Sequence, residues 1–304
     1  MLIVKDLVKI YPGPVAALQG VSLQVERGMF GLLGPNGAGK STLMKILAGL
    51  LQPTSGWVTL FGEDIIQRPD RVWRQLGYLP QEFGFYPQLT GHAMLKYLLK
   101  IKGVQAEQGL NHLASELLDR VNLSFAARRR LKTYSGGMKQ RLGIAQAIAG
   151  NPRLIIVDEP TAGLDPEERL RFYRLLAELS QDRIVLLSTH IVEDVAFLCP
   201  RFCVIREGEI IAETSPREAK ARIAGCVYEG QASPAELQRL QAEYCVTQAV
   251  LVEGRNRVRI YVPEGSPPAD CEPSNPTLED AYLLMMKGVG PVAPGAVTLG
   301  GAAR

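Results

Sequence analysis

The sequence predicts an α/β fold on a parallel sheet, with an inserted helical subdomain and a small α+β extension at its C-terminal end. Three apolar runs predict the sheet. Met29–Leu33 ends at Gly34, Leu154–Val157 ends at Asp158 and Glu159, and Ile184–Leu187 ends at Ser188, Thr189 and His190. These runs do not alternate with polar residues, which is the pattern of strands covered on both faces. Helical patterns such as Ser41–Leu50 and Glu167–Leu179 lie between them.

The stretch from about Leu89 to Gly150 reads as helices without a buried strand. Thr90 is placed to cap a helix carrying Met94, Leu95, Leu98 and Leu99. Leu110, Leu113, Leu117, Leu118 and Val121 then fall on one stripe at helical spacing. Beyond about residue 220 the character changes. Val246–Val252 and Arg257–Val262 flank Glu253–Asn256 as a predicted hairpin, followed by a Pro-rich loop over Pro263–Pro276 and a short helix over Thr277–Lys287. Three extents follow: a main domain over 1–220 with its helical subdomain at about 89–150, an accessory domain over 221–287, and a disordered tail over 288–304.

A chain of 304 residues is one large domain or a medium and a small one, at ~150 residues each. It buries a core without needing staples. Lys and Arg number 34 against 31 Asp and Glu, a net charge of +3. So near-neutral a balance argues against a dedicated nucleic-acid binder. The longest apolar run, Ala281–Met286, is far short of the ~20 residues of a membrane span. Met1–Val4 meets Lys5 and Asp6 at once, so no signal-peptide core is expected. The five cysteines, at 199, 203, 226, 245 and 271, form no paired metal pattern and read as reduced thiols of an intracellular chain.

Chemistry is concentrated where the runs end. Gly34-Pro35-Asn36-Gly37-Ala38-Gly39-Lys40-Ser41 fits G-x-x-x-x-G-K-[ST] between a predicted strand and a predicted helix. Glycines let backbone N–H groups close around phosphates, and the following helix points its positive end at them. Lys40 supplies a charge to the β- and γ-phosphates, and Ser41 a hydroxyl to Mg²⁺. This is a nucleoside triphosphate site.

Open α/β sheets bind ligands beyond the carboxyl ends of their strands. Asp158 there is suited to hold Mg²⁺ and Glu159 to orient or deprotonate an attacking water. His190, at the end of the third run, is placed for a γ-phosphate contact. Ser135-Gly136-Gly137 starts a further helix, over Met138–Ala149, with an N-cap and exposed N–H groups. Taken alone, each of these three features has a plain capping or packing explanation.

Together the residues resemble the nucleotide-binding subunits of ABC transporters, over roughly residues 1–220. The set is Gly34–Ser41 (Walker A), Gln81 (Q-loop), Tyr134–Met138 (signature), Leu154–Asp158 with Glu159 (Walker B), Gly163–Asp165 (D-loop) and His190 (switch histidine), in the family's order. The resemblance implies a P-loop NTPase core of RecA-like type and ATP held by Tyr11, stacking on adenine, and by Gly34 to Thr42. It implies Mg²⁺ held through Ser41, Gln81 and Asp158, and catalysis by Lys40, Gln81, Glu159 and His190. It also implies a head-to-tail dimer in which Ser135, Gly136, Gly137 and Asp165 of one chain face the nucleotide of the other. Tyr134 and Met138 stand where Leu and Gln are commonest, and the D-loop reads Ala-Gly-Leu-Asp.

Glu82–Thr90 and Asn275–Tyr282 resemble the same stretches in exporter-type members. The expected protein is thus a Mg-dependent ATPase subunit on the cytoplasmic face of the membrane, pairing with a second ATPase subunit and a separate permease. Phe83, Phe85 and Tyr86 are either anchors for that permease or packed on their own domain. Arg128–Lys132 reads as a solvated charged loop and Cys199 and Cys203 as core thiols. A soluble ABC ATPase acting on ribosomes or DNA is the competing expectation. It usually brings two nucleotide domains or a long coiled coil, whereas here one domain is present.

Overall fold

The computed structural model describes residues 1–161 and 164–290 and divides into two compact units. Unit one comprises Met1–His190 with Glu207–Glu209, and unit two comprises Ile191–Arg206 with the residues from Ile210 onward.

The first unit opens with two long strands, β1 (Leu2–Tyr11) and β2 (Val15–Val25), and then β3 (Gly28–Leu33). Helix α1 (Lys40–Leu47), strands β4 (Ser55–Leu60) and β5 (Glu63–Asp64), helix α2 (Pro69–Trp73) and strand β6 (Leu76–Leu79) follow. The helical stretch holds α3 (Gly91–Ile101), α4 (Leu110–Arg120) and α5 (Gly136–Ile148). Strand β7 (Leu154–Asp158), helix α6 (Pro166–Ser180) and strand β8 (Ile184–Thr189) complete it.

The three apolar runs become β3, β7 and β8. In the first unit they form a parallel sheet in the order β3-β8-β7-β6. Every residue of β7 and β8 is buried, the pattern of strands covered on both faces. The register pairs Leu33 with Thr189, Asp158 with Ser188 and Leu79 with Val157. Four strands therefore end at one edge, carrying Gly34, Asp158 and Glu159, His190 and, two residues past β6, Gln81. A separate antiparallel sheet runs β2-β1-β4-β5. No sequence motif announced it, because its strands are half exposed and polar at many positions.

Helix α5 lies unusually close to β6. A Cβ on Gly77 would stand 2.2 Å from the Ala147 carbonyl oxygen, and one on Gly143 would stand 2.5 Å from Leu79 Cδ1. Gln146 Nε2 donates to the Tyr78 carbonyl at 2.8 Å. Lys102 Nζ donates to the carbonyls of Gln146, Ala147 and Ala149, the last at 2.8 Å, and satisfies the open end of the helix. Burial pushes that ammonium down to about 8.

The second unit holds α7 (Val192–Leu198), β9 (Arg201–Arg206), β10 (Glu209–Thr214) and α8 (Pro216–Ala221). It continues with β11 (Val227–Ala232), α9 (Pro234–Glu243), β12 (Cys245–Val252), β13 (Arg255–Tyr261), β14 (Cys271–Pro273) and α10 (Leu278–Lys287). Its sheet runs β12-β13-β11-β14. The expected hairpin is present with a tighter turn. Glu253 and Gly254 alone close it, with φ of 49° and 82°, so Arg255 and Asn256 pair in the ladder. The Pro-rich loop contributes a short strand, β14, that composition concealed.

Buried Arg259 holds this unit together. It donates to both Asp280 carboxylate oxygens, to Glu229, to Ser274 and to the Asn275 carbonyl. Asp280 also closes the capping box of α10 with Thr277. These donors hold its carboxyl below the usual range against the opposing effect of burial. Cys199 and Cys203 are buried thiols, pushed up by burial. Of the tail, residues 291–304 lie outside the described residues.

Gly77→Ala is expected to destabilise the first unit by about 1–3 kcal/mol, because the clash is with backbone that cannot step aside. The urea unfolding midpoint measures it, and an unchanged midpoint would show that α5 can lift from β6.

Candidate functional site

The loop between β3 and α1 is built for an anion. Gly37 has φ +82°, a conformation glycine adopts without strain. Gly39 has φ +101°, and a Cβ there would stand 2.4 Å from the Ala17 carbonyl oxygen. Helix α1 starts with no side-chain cap and no acidic residue in its first turn. Its first N–H groups and its positive end are thus left for a ligand.

Lys40 is buried and reaches back over the loop. Its Nζ donates to the carbonyls of Gly34 at 2.8 Å and Pro35 at 3.0 Å, and lies 3.2 Å from Glu159 Oε1. Glu159 is buried and has φ +47°, outside the strand conformation of β7. Its N–H donates to the Ser188 carbonyl at 2.8 Å, which fixes the turn. The other carboxylate oxygen, Oε2, lies 3.0 Å from Gln81 Nε2 and 3.2 Å from His190 Nδ1. Four sequence-predicted residues, Lys40, Gln81, Glu159 and His190, therefore meet at one carboxylate.

Asp158 lies beside them. Burial raises its pKa, while the Ser188 and Ser41 hydroxyls and Lys40 draw it back and Glu159 adds to the rise. Its Oδ1 is buried with no hydrogen-bond partner. Among the described residues no three His, Cys, Asp or Glu side chains gather into a metal cage. An orphaned carboxylate oxygen next to the Ser41 hydroxyl suits a hard cation that takes its remaining ligands from phosphate and water.

Tyr11, at the end of β1, places its hydroxyl 3.5 Å from Thr42 Oγ1, next to the loop. Ser135 caps α5, accepting from the Met138 N–H at 3.2 Å, and a Cβ on Gly136 would meet open space. Asp165 caps α6, accepting from the Glu168 N–H at 2.8 Å. Gly163, the first residue of the expected D-loop, lies outside the described residues. Phe83 packs on α5, where a Cβ on Gly143 would stand 3.2 Å from its Cζ, and sits edge-on to Phe85. Tyr86 is exposed and meets exposed Tyr97 edge-on. The Arg128–Arg130 side chains are exposed.

Two supports were not legible beforehand. Buried Arg141 on α5 donates to Glu168 on α6 at 3.1 Å and to the Asn122 carbonyl at 2.9 Å. This ties the helix that Ser135 starts to the helix that Asp165 starts. Tyr134 is buried, donates to the Ala126 carbonyl at 2.8 Å, and fills the space a Cβ on Gly91 would need, 2.0 Å from its hydroxyl. Neither pairing is local in sequence. Gly91 beside an unusual Tyr134 was the one available hint.

A family profile described as ABC transporter matches residues 18–162. The chain is 39% identical over 211 residues to "Nod factor export ATP-binding protein I" of Burkholderia thailandensis, covering 69% of each chain. The chain belongs to the ATP-binding proteins of ABC transporters. It is 37% identical over 232 residues to "ABC transporter A family member 7" of Arabidopsis thaliana, of whose length that match spans 25%. Among solved structures, a dimeric ATP-binding cassette in a post-hydrolysis state with ADP and Pi resembles it with a TM-score of 0.65 and 28% identity. That match covers 71% of this chain and 98% of the other. No helix among the described residues is long and apolar enough to cross a membrane.

Holding Asp158 above its unfolded value means that ionising it costs stability as pH rises, and the cost is fully present once the pH lies above its folded-state pKa. Asp158→Asn is expected to raise the melting midpoint of the nucleotide-free protein by about 2–4 °C at neutral pH, the shift that ~1 kcal/mol gives a unit of this size. The gain should vanish as pH falls below that pKa, and the extra stabilisation Mg²⁺ adds to ATP should be lost. Thermal melts across pH, with and without MgATP, read both effects.

A double-mutant cycle checks the Tyr134–Gly91 fit. Gly91→Ala should destabilise the parent by about 1–3 kcal/mol and cost measurably less in a Tyr134→Leu background.

Proposed function

We propose that this chain is the ATP-hydrolysing subunit of an ABC exporter, bound peripherally to a separate permease on the cytoplasmic face of the membrane. The observation that carries the reading is the single carboxylate of Glu159, shared by Lys40, Gln81 and His190 at the sheet edge beside the Gly34–Ser41 loop. Export is supported by the exporter-like stretches Glu82–Thr90 and Asn275–Tyr282 and by the printed function of the Burkholderia relative.

In this reading ATP enters over the N-terminus of α1. Its phosphates take the N–H groups of Gly37 to Thr42 and draw Lys40 off the Gly34 and Pro35 carbonyls. Tyr11 stacks on the base. Asp158, Ser41 and Gln81 would hold Mg²⁺, which neutralises charge on the phosphate oxygens. Once Lys40 has turned to phosphate, Glu159 is free to accept a proton from the attacking water. Gln81 and His190 keep its carboxylate oriented, and His190 faces the γ-phosphate. A second copy of the chain closes the site with its Ser135, Gly136, Gly137 and Asp165, so hydrolysis reopens the dimer. The exposed Tyr86 and Tyr97 pair offers the permease an anchor beside the Q-loop. Residues 221–287 form an accessory domain.

Glu159→Gln should slow ATP turnover by about 10²–10⁴-fold while retaining ATP affinity, so that an ATP-bound dimer accumulates. Normal turnover by this variant would remove Glu159 from the role of base. Affinity capture of the same variant from native membranes with MgATP should bring down a polytopic permease. Ribosomal or DNA-bound partners without one would overturn the transporter reading.

A further inference from the structure

The second unit carries an apolar surface that ATP chemistry does not use. Val250, Leu251 and Val252 at the end of β12 are 46%, 67% and 48% exposed. Large apolar side chains three in a row at this exposure are costly to leave in water. The strand pairs with β13 on one side only and is the outermost strand of its sheet among the described residues. Its outer edge is a row of backbone donors and acceptors that pair readily with another strand.

Edge strands are normally blunted by charge, proline or a bulge. The opposite edge of this sheet is blunted: β14 is three residues long and contains Glu272 and Pro273. One end of β12 is also guarded. A bulge falls between Val246 and Gln248, and Lys287 Nζ donates to the Val246 carbonyl at 2.9 Å. From Ala249 to Val252 no such device is present. The tight Glu253–Gly254 turn keeps this segment paired in register with β13, with Val250 beside Arg257 and Val252 beside Arg255.

We propose that the β12 edge is where a second copy of this chain docks, the two strands pairing antiparallel about a two-fold axis into one eight-stranded sheet. Charge pattern selects a second copy over another partner. In a two-fold antiparallel pair a strand meets itself, so any charge near the axis would face its like. From Cys245 to Val252 the strand carries no charge, no proline and no glycine. The pairing also brings Val250, Leu251 and Val252 of both copies beside one another and leaves only the short β14 strands at the ends of the sheet. The related cassette is dimeric, and two copies held together elsewhere raise the effective concentration for this contact.

The test uses the full chain without nucleotide, so its failure would leave the ATP reading intact. Sedimentation velocity at micromolar concentrations should show reversible dimerisation, equally in Lys40→Ala. Val250→Lys and Leu251→Lys should each weaken it by about tenfold or more, with unchanged circular dichroism. Hydrogen exchange provides a readout independent of the variants: amides of Ala249–Val252 should gain protection as concentration rises. A chain monomeric at all these concentrations, or a dimer indifferent to both lysines, would overturn the proposal. So would dimerisation only after deletion of residues 291–304, which would mean that those residues cover the edge themselves.

Discussion

A buried carboxylate must be paired, and at Glu159 that requirement organises the whole sheet edge. The Glu159 side chain is only 6% exposed, so an uncompensated charge on it would cost several kcal/mol. Lys40 supplies the counter-charge from the phosphate loop, and Gln81 and His190 satisfy the second oxygen from two further strand ends. The same contact keeps Lys40 in the loop when no phosphate is there to hold it. Because the pairing draws on the ends of β3, β6, β7 and β8, the register of the parallel sheet and the geometry of the site are one constraint.

Close packing adds a second constraint, between the site and helix α5. Gly77 and Gly143 let α5 lie within contact distance of β6, and Gln146 and Lys102 fasten its far end. A strand that runs toward Gln81 and a helix that Ser135 caps are therefore held against each other. Arg141 extends the tie to α6, which Asp165 caps. Interiors packed at this density move as bodies and transmit small displacements. Gln81 and Ser135 thus stand at the ends of two elements that share one packed contact.

Parts of this arrangement were legible in advance for particular reasons. Runs apolar at every position predicted β3, β7 and β8 because strands buried on both faces leave no polar position. The Gly34–Ser41 loop was legible because backbone wrapped around phosphate demands glycine at fixed offsets, and Gly39 shows why: the Ala17 carbonyl occupies the place of its Cβ. The half-exposed strands β1, β2 and β4, and β14 inside a Pro-rich stretch, were not legible. Their identity rests on pairing partners far along the chain, which composition does not record. The same holds for Arg259, whose partners Glu229, Ser274 and Asp280 come from three separate segments.

By itself the sequence determined the chemistry: a phosphate loop, an Asp-Glu pair, a glutamine, a histidine and a second glycine-started helix, in an order that resembles one family. Those are local requirements of bond geometry and charge, and they are written in adjacent residues. Only the tertiary structure decided that Lys40, Gln81 and His190 converge on one oxygen pair, that Asp158 keeps an oxygen without a partner, and that Tyr134 depends on Gly91. It also decided that β12 ends its sheet with three apolar side chains in water. These follow from which segments lie side by side after burial, and that is a property of the packed chain, not of any stretch of it.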